Sequence, residues 1–156
     1  EYLGQCAEFC GVAHAHMRFR VIVQPRAEFD AWLAAQTLPA VESPDPLALE
    51  GKALFEDRAG CFSCHTVSGV RKARGTIGPN LTHVASRGRI AAGELENTQA
   101  NLRRWLEDPD DVKPGNIMAR DALVYRDADG EYSPLPSEKL SGAQVDALVA
   151  YLRTLK

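Results

Sequence analysis

Apolar and polar positions alternate along Arg18-Phe19-Arg20-Val21-Ile22-Val23, the two-residue period of a strand, and Pro25 ends the run. From Arg26 the period lengthens. Phe29, Trp32 and Leu33 fall on one face of a helix over residues 26–36. Thr37 to Pro46 contains Pro39, Pro44 and Pro46, the composition of a semi-rigid linker, and the domain boundary is placed there. Beyond it the pattern is helical. Asp45-Pro46 is a cap and first-turn pair, and Leu49, Ala53, Leu54 and Phe55 give the next helix its apolar face, with a stop near Gly60. Thr98 to Glu107 is a second helix, capped by Asn97 or Thr98, stopped by Pro109, with Leu102, Trp105 and Leu106 inward. Ser141-Gly142-Ala143-Gln144 is a capping box opening a third, whose buried stripe is Val145, Leu148, Val149 and Leu152. Asp129-Gly130 predicts a small hairpin between 123–125 and 131–132. The fold is therefore mainly α.

Composition narrows the class. The 156 residues are 45% hydrophobic and 25% charged, ordinary for a globular chain. A net charge of −3 offers no basic face to nucleic acid. No apolar run approaches the roughly 18–20 residues of a membrane span. The opening residues Glu1-Tyr2-Leu3-Gly4-Gln5 read as the middle of a longer chain. From residue 46 onward there are 15 basic and 15 acidic side chains, so electrostatic steering of a partner toward this half is modest.

The chemistry lies in two cysteine pairs, Cys6/Cys10 and Cys61/Cys64. Two disulfides or a shared zinc site would use the same residues. Histidine, however, follows each pair at a fixed distance, and the two pairs have different surroundings. Cys61-Phe62-Ser63-Cys64-His65 is a C-x-x-C-H run, the attachment signature of c-type haem. Two thiols at this spacing add across two vinyl groups, and the adjoining histidine is carried beneath the iron. A redox Cys-x-x-Cys pair that happens to precede His65 is the competing reading. Met118, in Lys113-Pro114-Gly115-Asn116-Ile117-Met118, is the candidate sixth ligand; a thioether raises the potential and suits electron transfer. A lone methionine is otherwise core filler, and the loop after Pro114-Gly115 favours the ligand. His83, 18 residues after His65, is the other candidate. In Gly78-Pro79-Asn80-Leu81 the Pro79 carbonyl is a candidate acceptor for the second ring nitrogen of His65.

With these pieces in place, residues 47–156 resemble a class I cytochrome c domain. The resemblance implies that the first and last helices cross, Gly51 or Phe55 meeting Tyr151 and Leu152. It also implies that Trp105 and Arg87 or Arg89 face the haem propionates.

Cys6, Cys10, His14 and Met17 follow the order C-x3-C-x3-H-x2-M. Two thiolates, an imidazole and a thioether are a soft ligand set that selects copper over hard cations. A disulfide or free thiols would use the same cysteines in the isolated chain. The segment resembles the binuclear CuA loop of cytochrome c oxidase subunit II. That resemblance implies bridging by Cys6 and Cys10, ligation by His14, weak ligation by Met17 and a backbone carbonyl from Glu8. It also implies a second histidine from an earlier strand, so the copper set is incomplete here; His16 is too close to His14 and is expected to point away. Residues 1–36 then look like the end of a cupredoxin domain, 37–46 the linker and 47–156 the cytochrome. With no sheet to join, residues 1–25 are expected to be extended or loosely packed on the haem domain.

Taken whole, the chain resembles the haem-c-fused subunit II family of caa-type haem–copper oxidases. What this implies is one covalent haem c, a CuA centre in the parent protein, and a membrane anchor missing here. The implied setting is the outer, periplasmic face of a bacterial cytoplasmic membrane. Electrons would come from a bc complex or a small cytochrome or copper protein. They would pass through haem and copper to haem a and copper B of subunit I, where oxygen is reduced and protons are pumped. An independent electron carrier, the CuA part of a nitrous oxide reductase and a haem peroxidase are the alternatives. The copper loop, the missing propeller and Met118 respectively argue against them.

Overall fold

The computed structural model describes residues 1–127, 129–133 and 140–156. Strand β1 (Tyr2–Gln5) pairs antiparallel with β2 (Arg18–Val21), Tyr2 opposite Val21 and Gln5 opposite Arg18. The strand read from the alternation therefore has a local partner, and residues 1–21 form a hairpin rather than an extended arm. The ligand-bearing loop is its connection. Helix α1 (Arg26–Gln36) follows, with Phe29, Trp32 and Leu33 all half exposed along one face.

The cytochrome-like half is built on two crossing helices. Helix α2 (Pro46–Phe55) starts where Pro46 occupies the first turn and the Asp45 carboxylate accepts from Leu47 N at 2.9 Å. Proline fits there because its missing N–H is unneeded in the first turn. Helix α7 (Gly142–Leu152) opens on the capping box, Ser141 and Gln144 each serving the other's backbone. The two helices cross so closely that a methyl on Gly51 would lie 1.9 Å from the Ala147 carbonyl oxygen. Phe55 then meets Tyr151 edge-on, ring centroids 5.4 Å apart. Phe55, Val145, Val149 and Leu155 are almost wholly withdrawn from water at the centre of the core.

Between these helices run short elements: α3 (Cys61–Cys64), a tight turn at Val84–Ser86, the hairpin β3 (Arg89–Ile90) with β4 (Leu95–Glu96), and α4 (Gln99–Glu107). Then come α5 (Pro109–Val112), α6 (Ile117–Asp121) and a turn at Leu123–Tyr125. Helix α4 begins at Thr98, whose hydroxyl accepts from Asn101 N at 3.1 Å. Two expectations shift. The first helix ends at Phe55 rather than near Gly60. The hairpin near Asp129-Gly130 reduces to a single bridge between Arg126 and Tyr132. Tyr125 explains the second change: it turns into the core, and its hydroxyl donates to Leu106 O at 2.6 Å. Burying that ring outweighs keeping residues 123–125 extended.

Candidate metal centres

Gly60, in the left-handed region at φ +66, turns the chain into the single helical turn of α3. Ser63 Oγ donates back to Gly60 O at 2.7 Å, and His65 N donates to Cys61 O at 3.0 Å. Both thiols and the histidine thus ride on one hydrogen-bonded unit. His65 Nδ1 donates to the Pro79 carbonyl at 2.8 Å, which leaves Nε2 as the free ring nitrogen. Leu81 N donates to Thr66 O at 2.8 Å and Gly78 N to Cys64 O at 2.7 Å, so the 78–81 loop is tied to the motif from both sides. Gly78 supplies the clearance: a methyl there would fall 2.4 Å from His65 Cε1. Burial holds the His65 pKa below the ordinary imidazole value; the Pro79 bond opposes that and the Arg87 charge adds to it. The ring is therefore kept neutral, the form that ligates iron. Burial of its sulfur pushes the Cys61 thiol up to about 12.

The fit to a haem rests on this donor set and this cradle. A pair of thiols and a neutral imidazole are held at attachment spacing, and the outer nitrogen of the imidazole is already engaged. Met118 lies half-buried against the core. It sits in the first turn of α6 rather than in a loop, because Asn116 caps that helix by accepting from Ala119 N at 2.9 Å. Trp105, on α4, packs half-buried against the same core. Arg87 donates to the Asn80 carbonyl. Arg89 is committed to the β3–β4 turn, giving Nε to Gly93 O at 2.7 Å. His83 precedes the turn at Val84–Ser86, and its Nε2 is buried with no hydrogen-bond partner among the described residues.

The second donor set gathers on the β1–β2 connection. The Cys6 and Cys10 sulfurs are 3.5 Å apart. Cys10 Sγ lies 3.6 Å from His14 Nδ1 and donates to Met17 Sδ at 3.1 Å. Cys6 Sγ donates to the Glu8 carbonyl at 3.2 Å. The ligand atoms of Cys6, Cys10 and His14 all lie within 4.8 Å of one another. All five donors named from the sequence are thus brought together, with the chemistry of a soft-metal site. The bond to Cys6 is the main reason the Cys10 pKa is raised, while the Lys113 charge opposes the rise. His16 turns from this cluster toward Glu94, Nδ1 to Oε2 3.6 Å.

Sequence reasoning passed over the residues that bring the two centres side by side: Glu94, Ala92, Lys113 and Gly115. Nothing in Ala91-Ala92-Gly93-Glu94 marks it as more than a turn, and its partners lie more than seventy positions upstream. Among the described residues no helix is long and apolar enough to cross a membrane.

Comparison with known proteins bears on both halves. Residues 48–156 match the cytochrome c family model. Over 99% of its length the chain is 42% identical to cytochrome c oxidase subunit 2 of Bacillus sp. (strain PS3). It is 37% identical to that of Alkalihalophilus pseudofirmus and 34% to that of Bacillus subtilis, again over 99% of the chain. In each case it spans 39% of the relative's length.

Proposed function

The chain belongs to the cytochrome c family, and from that premise we propose that it forms the electron-entry end of a respiratory terminal oxidase. In this reading residues 1–36 close a cupredoxin domain, 37–46 link it, and 47–156 are the cytochrome. Cys61 and Cys64 hold one haem c by thioether bonds, with His65 and Met118 as axial ligands. Cys6, Cys10, His14, Met17 and the Glu8 carbonyl hold a binuclear copper centre, completed in the parent protein. When bound, these groups supply two one-electron couples within one chain.

The residues do the rest. Pro79 fixes the plane of His65. Ser63 and Gly60 shape the turn that presents both thiols. Trp105 contributes a possible propionate contact. The two thiols and the thioether at Cys6, Cys10 and Met17 offer polarizable donors whose geometry changes little on a one-electron change. The electron donor is a bc complex or a small cytochrome or copper protein. The acceptor is the oxygen-reducing subunit I of a complex on the outer face of a bacterial cytoplasmic membrane, where proton pumping also resides.

One observation carries this reading. Similarity to oxidase subunit 2 runs through both donor sets rather than the cytochrome half alone. An independent carrier would have no use for the cluster at 6–17. A nitrous oxide reductase leaves the cytochrome half unexplained.

The test is the intact mass of the chain, expressed in a periplasm with haem maturation and measured under denaturing conditions. One added haem, lost in Cys61→Ala/Cys64→Ala, is expected. A haem-free mass from a maturation-competent host would remove the central claim and return Cys61 and Cys64 to a redox pair.

A further inference from the structure

The two donor segments meet along a seam outside either ligand set. On one side is the turn from β3 to β4. Ala91, Ala92 and Gly93 all have positive φ, at 54°, 57° and 86°. Residues with a Cβ avoid this region because the Cβ crowds the following carbonyl. Two consecutive alanines there mark a turn that its surroundings hold in place. Arg89 does the holding: its guanidinium donates to Gly93 O at 2.7 Å and to Glu94 O at 3.4 Å, while Gly93 N donates to Ile90 O at 3.1 Å.

Held this way, the turn offers two acceptors to the copper loop. The Ala92 carbonyl accepts from Arg18 N at 3.1 Å, one residue beyond Met17. The Glu94 carboxylate places Oε1 3.3 Å from Arg18 Nε and Oε2 3.6 Å from His16 Nδ1, with its side chain only 15% exposed. A carboxylate so far out of water needs a cation, and this one finds it on the other segment. Lys113 is the third basic group here. Burial lowers its pKa, while the charges of Glu94 and Cys10 both raise it, so its ammonium lies near both sides of the seam. A second contact sits beside the Met118 helix: a methyl on Gly115 would fall 2.7 Å from Val12 Cβ, so the loop between Cys10 and His14 lies directly on residue 115.

We propose that the 91–94 turn is the docking element that seats the cytochrome domain on the copper loop, with Glu94 as the positioning residue for electron transfer between the two centres. This rests on the function proposed above. The step it serves moves one electron from ferrous haem to the oxidised copper pair; no bond forms or breaks, and Glu94 neither gains nor loses a proton. Its role is geometric: through Arg18 and His16 it grips the strand and turn that carry Met17 and His14, and sets their distance from the haem.

Two readouts test this in the full-length protein, matured with haem. One is hydrogen exchange at the Arg18 amide, which needs no copper. The other is the rate of haem-to-copper electron transfer after flash reduction of the copper-loaded protein. Glu94→Gln and Arg18→Gln are each expected to speed the exchange and slow the transfer roughly three- to tenfold. The charge swap Glu94→Arg/Arg18→Glu is expected to recover most of both. Single variants that match the wild type in both readouts, or a swap no better than the singles, would overturn the proposal. A wild type loaded with both metals that passes no electron to copper would instead refute the proposed function, and the exchange data would still decide whether the seam exists.

Discussion

Replacing Gly78 by alanine tests the cradle under His65 more sharply than removing the histidine itself. The added methyl would sit 2.4 Å from Cε1, 2.6 Å from Nδ1 and 3.0 Å from Nε2 of the ring. These atoms cannot swing aside at no cost. The ring is fixed at Nδ1 by the 2.8 Å bond to Pro79 O, and in the loaded protein iron fixes the other side. Gly78 N is also tied to Cys64 O, so the loop cannot easily retreat. Overpacking of this kind costs about 1–3 kcal/mol, and losing the Pro79 bond adds about 0.5–1.5 kcal/mol. The expected loss of about 2–4 kcal/mol would lower the thermal midpoint by at least about 8 °C, at roughly 4–8 °C per kcal/mol for a domain of this size. The thioether bonds would survive, so the intact mass stays that of the haem adduct while the absorption spectrum reports weakened axial ligation. The assay is thermal unfolding and ferric absorption of wild type and Gly78→Ala, both matured with haem. An unchanged midpoint together with an unchanged spectrum would show that His65 does not lie against residue 78, and the cradle argument would fail.

Asn116→Ala should act on the opposite ligand. Asn116 is buried, caps α6 at Ala119 N, and donates to Pro109 O at 2.9 Å and Lys113 O at 2.7 Å. Removing it strands two carbonyls and a cap, about 3 kcal/mol in all. The thioether–iron absorption band of the ferric protein is expected to fade while covalent haem is retained; an intact band at an unchanged denaturation midpoint would count against Met118 as ligand. In the haem-free chain, Cys61 titrates near 12. Its thiolate is therefore scarce at pH 8, and alkylation there should run roughly a thousandfold slower than for a free thiol of pKa about 8.5. The rate should keep rising about tenfold per pH unit up to about 12. Because the unfolded thiol ionises first, this group makes the folded state lose stability as pH climbs from about 9 toward 12. A Cys61 rate that levels off near pH 9, read by peptide mass, would refute the buried-sulfur assignment.

The parts of this molecule legible in its sequence are those whose physics is local. The Thr98 and Ser141 caps, the Asp45-Pro46 start, the C-x-x-C-H run and the C-x3-C-x3-H-x2-M run each complete their geometry within a dozen residues. The five soft donors converge because a single hairpin connection carries them. Pro79 was legible for a different reason: a ligating imidazole requires an acceptor, and a stiff Gly-Pro loop is a suitable source. Long-range choices were harder to read. Met118 looked like a loop residue because the Asn116 cap competes with the turn signal of Pro114-Gly115. Residues 123–125 lost strand character to the burial of Tyr125. The pairing of Tyr2–Gln5 with Arg18–Val21 was obscured because the alternating signal is strong in only one of the two strands. Glu94 carries no local mark, since its meaning comes from Arg18 across the seam.

The linker gives that seam its thermodynamic sense. Residues 37–46 read as a tether, but Ala40 N donates to Ser68 O at 2.9 Å, Pro39 lies on Gly69, and Glu42 pairs with Lys52. From Pro39 onward the segment is bound to the cytochrome half. The free joints are then two short stretches on either side of α1, residues 22–25 and 37–38. A short tether sets an effective concentration in the millimolar range. The seam contains an ion pair worth up to about 1 kcal/mol, a backbone bond of about 1 kcal/mol and one valine contact of similar size. Together these fall short of the roughly 4 kcal/mol that millimolar affinity requires. Two separate proteins would not stay joined by such a surface. Tethered at millimolar effective concentration, the same contacts leave docked and undocked states comparably populated. Loss of a single contact shifts a balanced equilibrium most visibly, so the removal of one exposed-rim charge at Glu94, ordinarily a weak perturbation, becomes measurable in this chain.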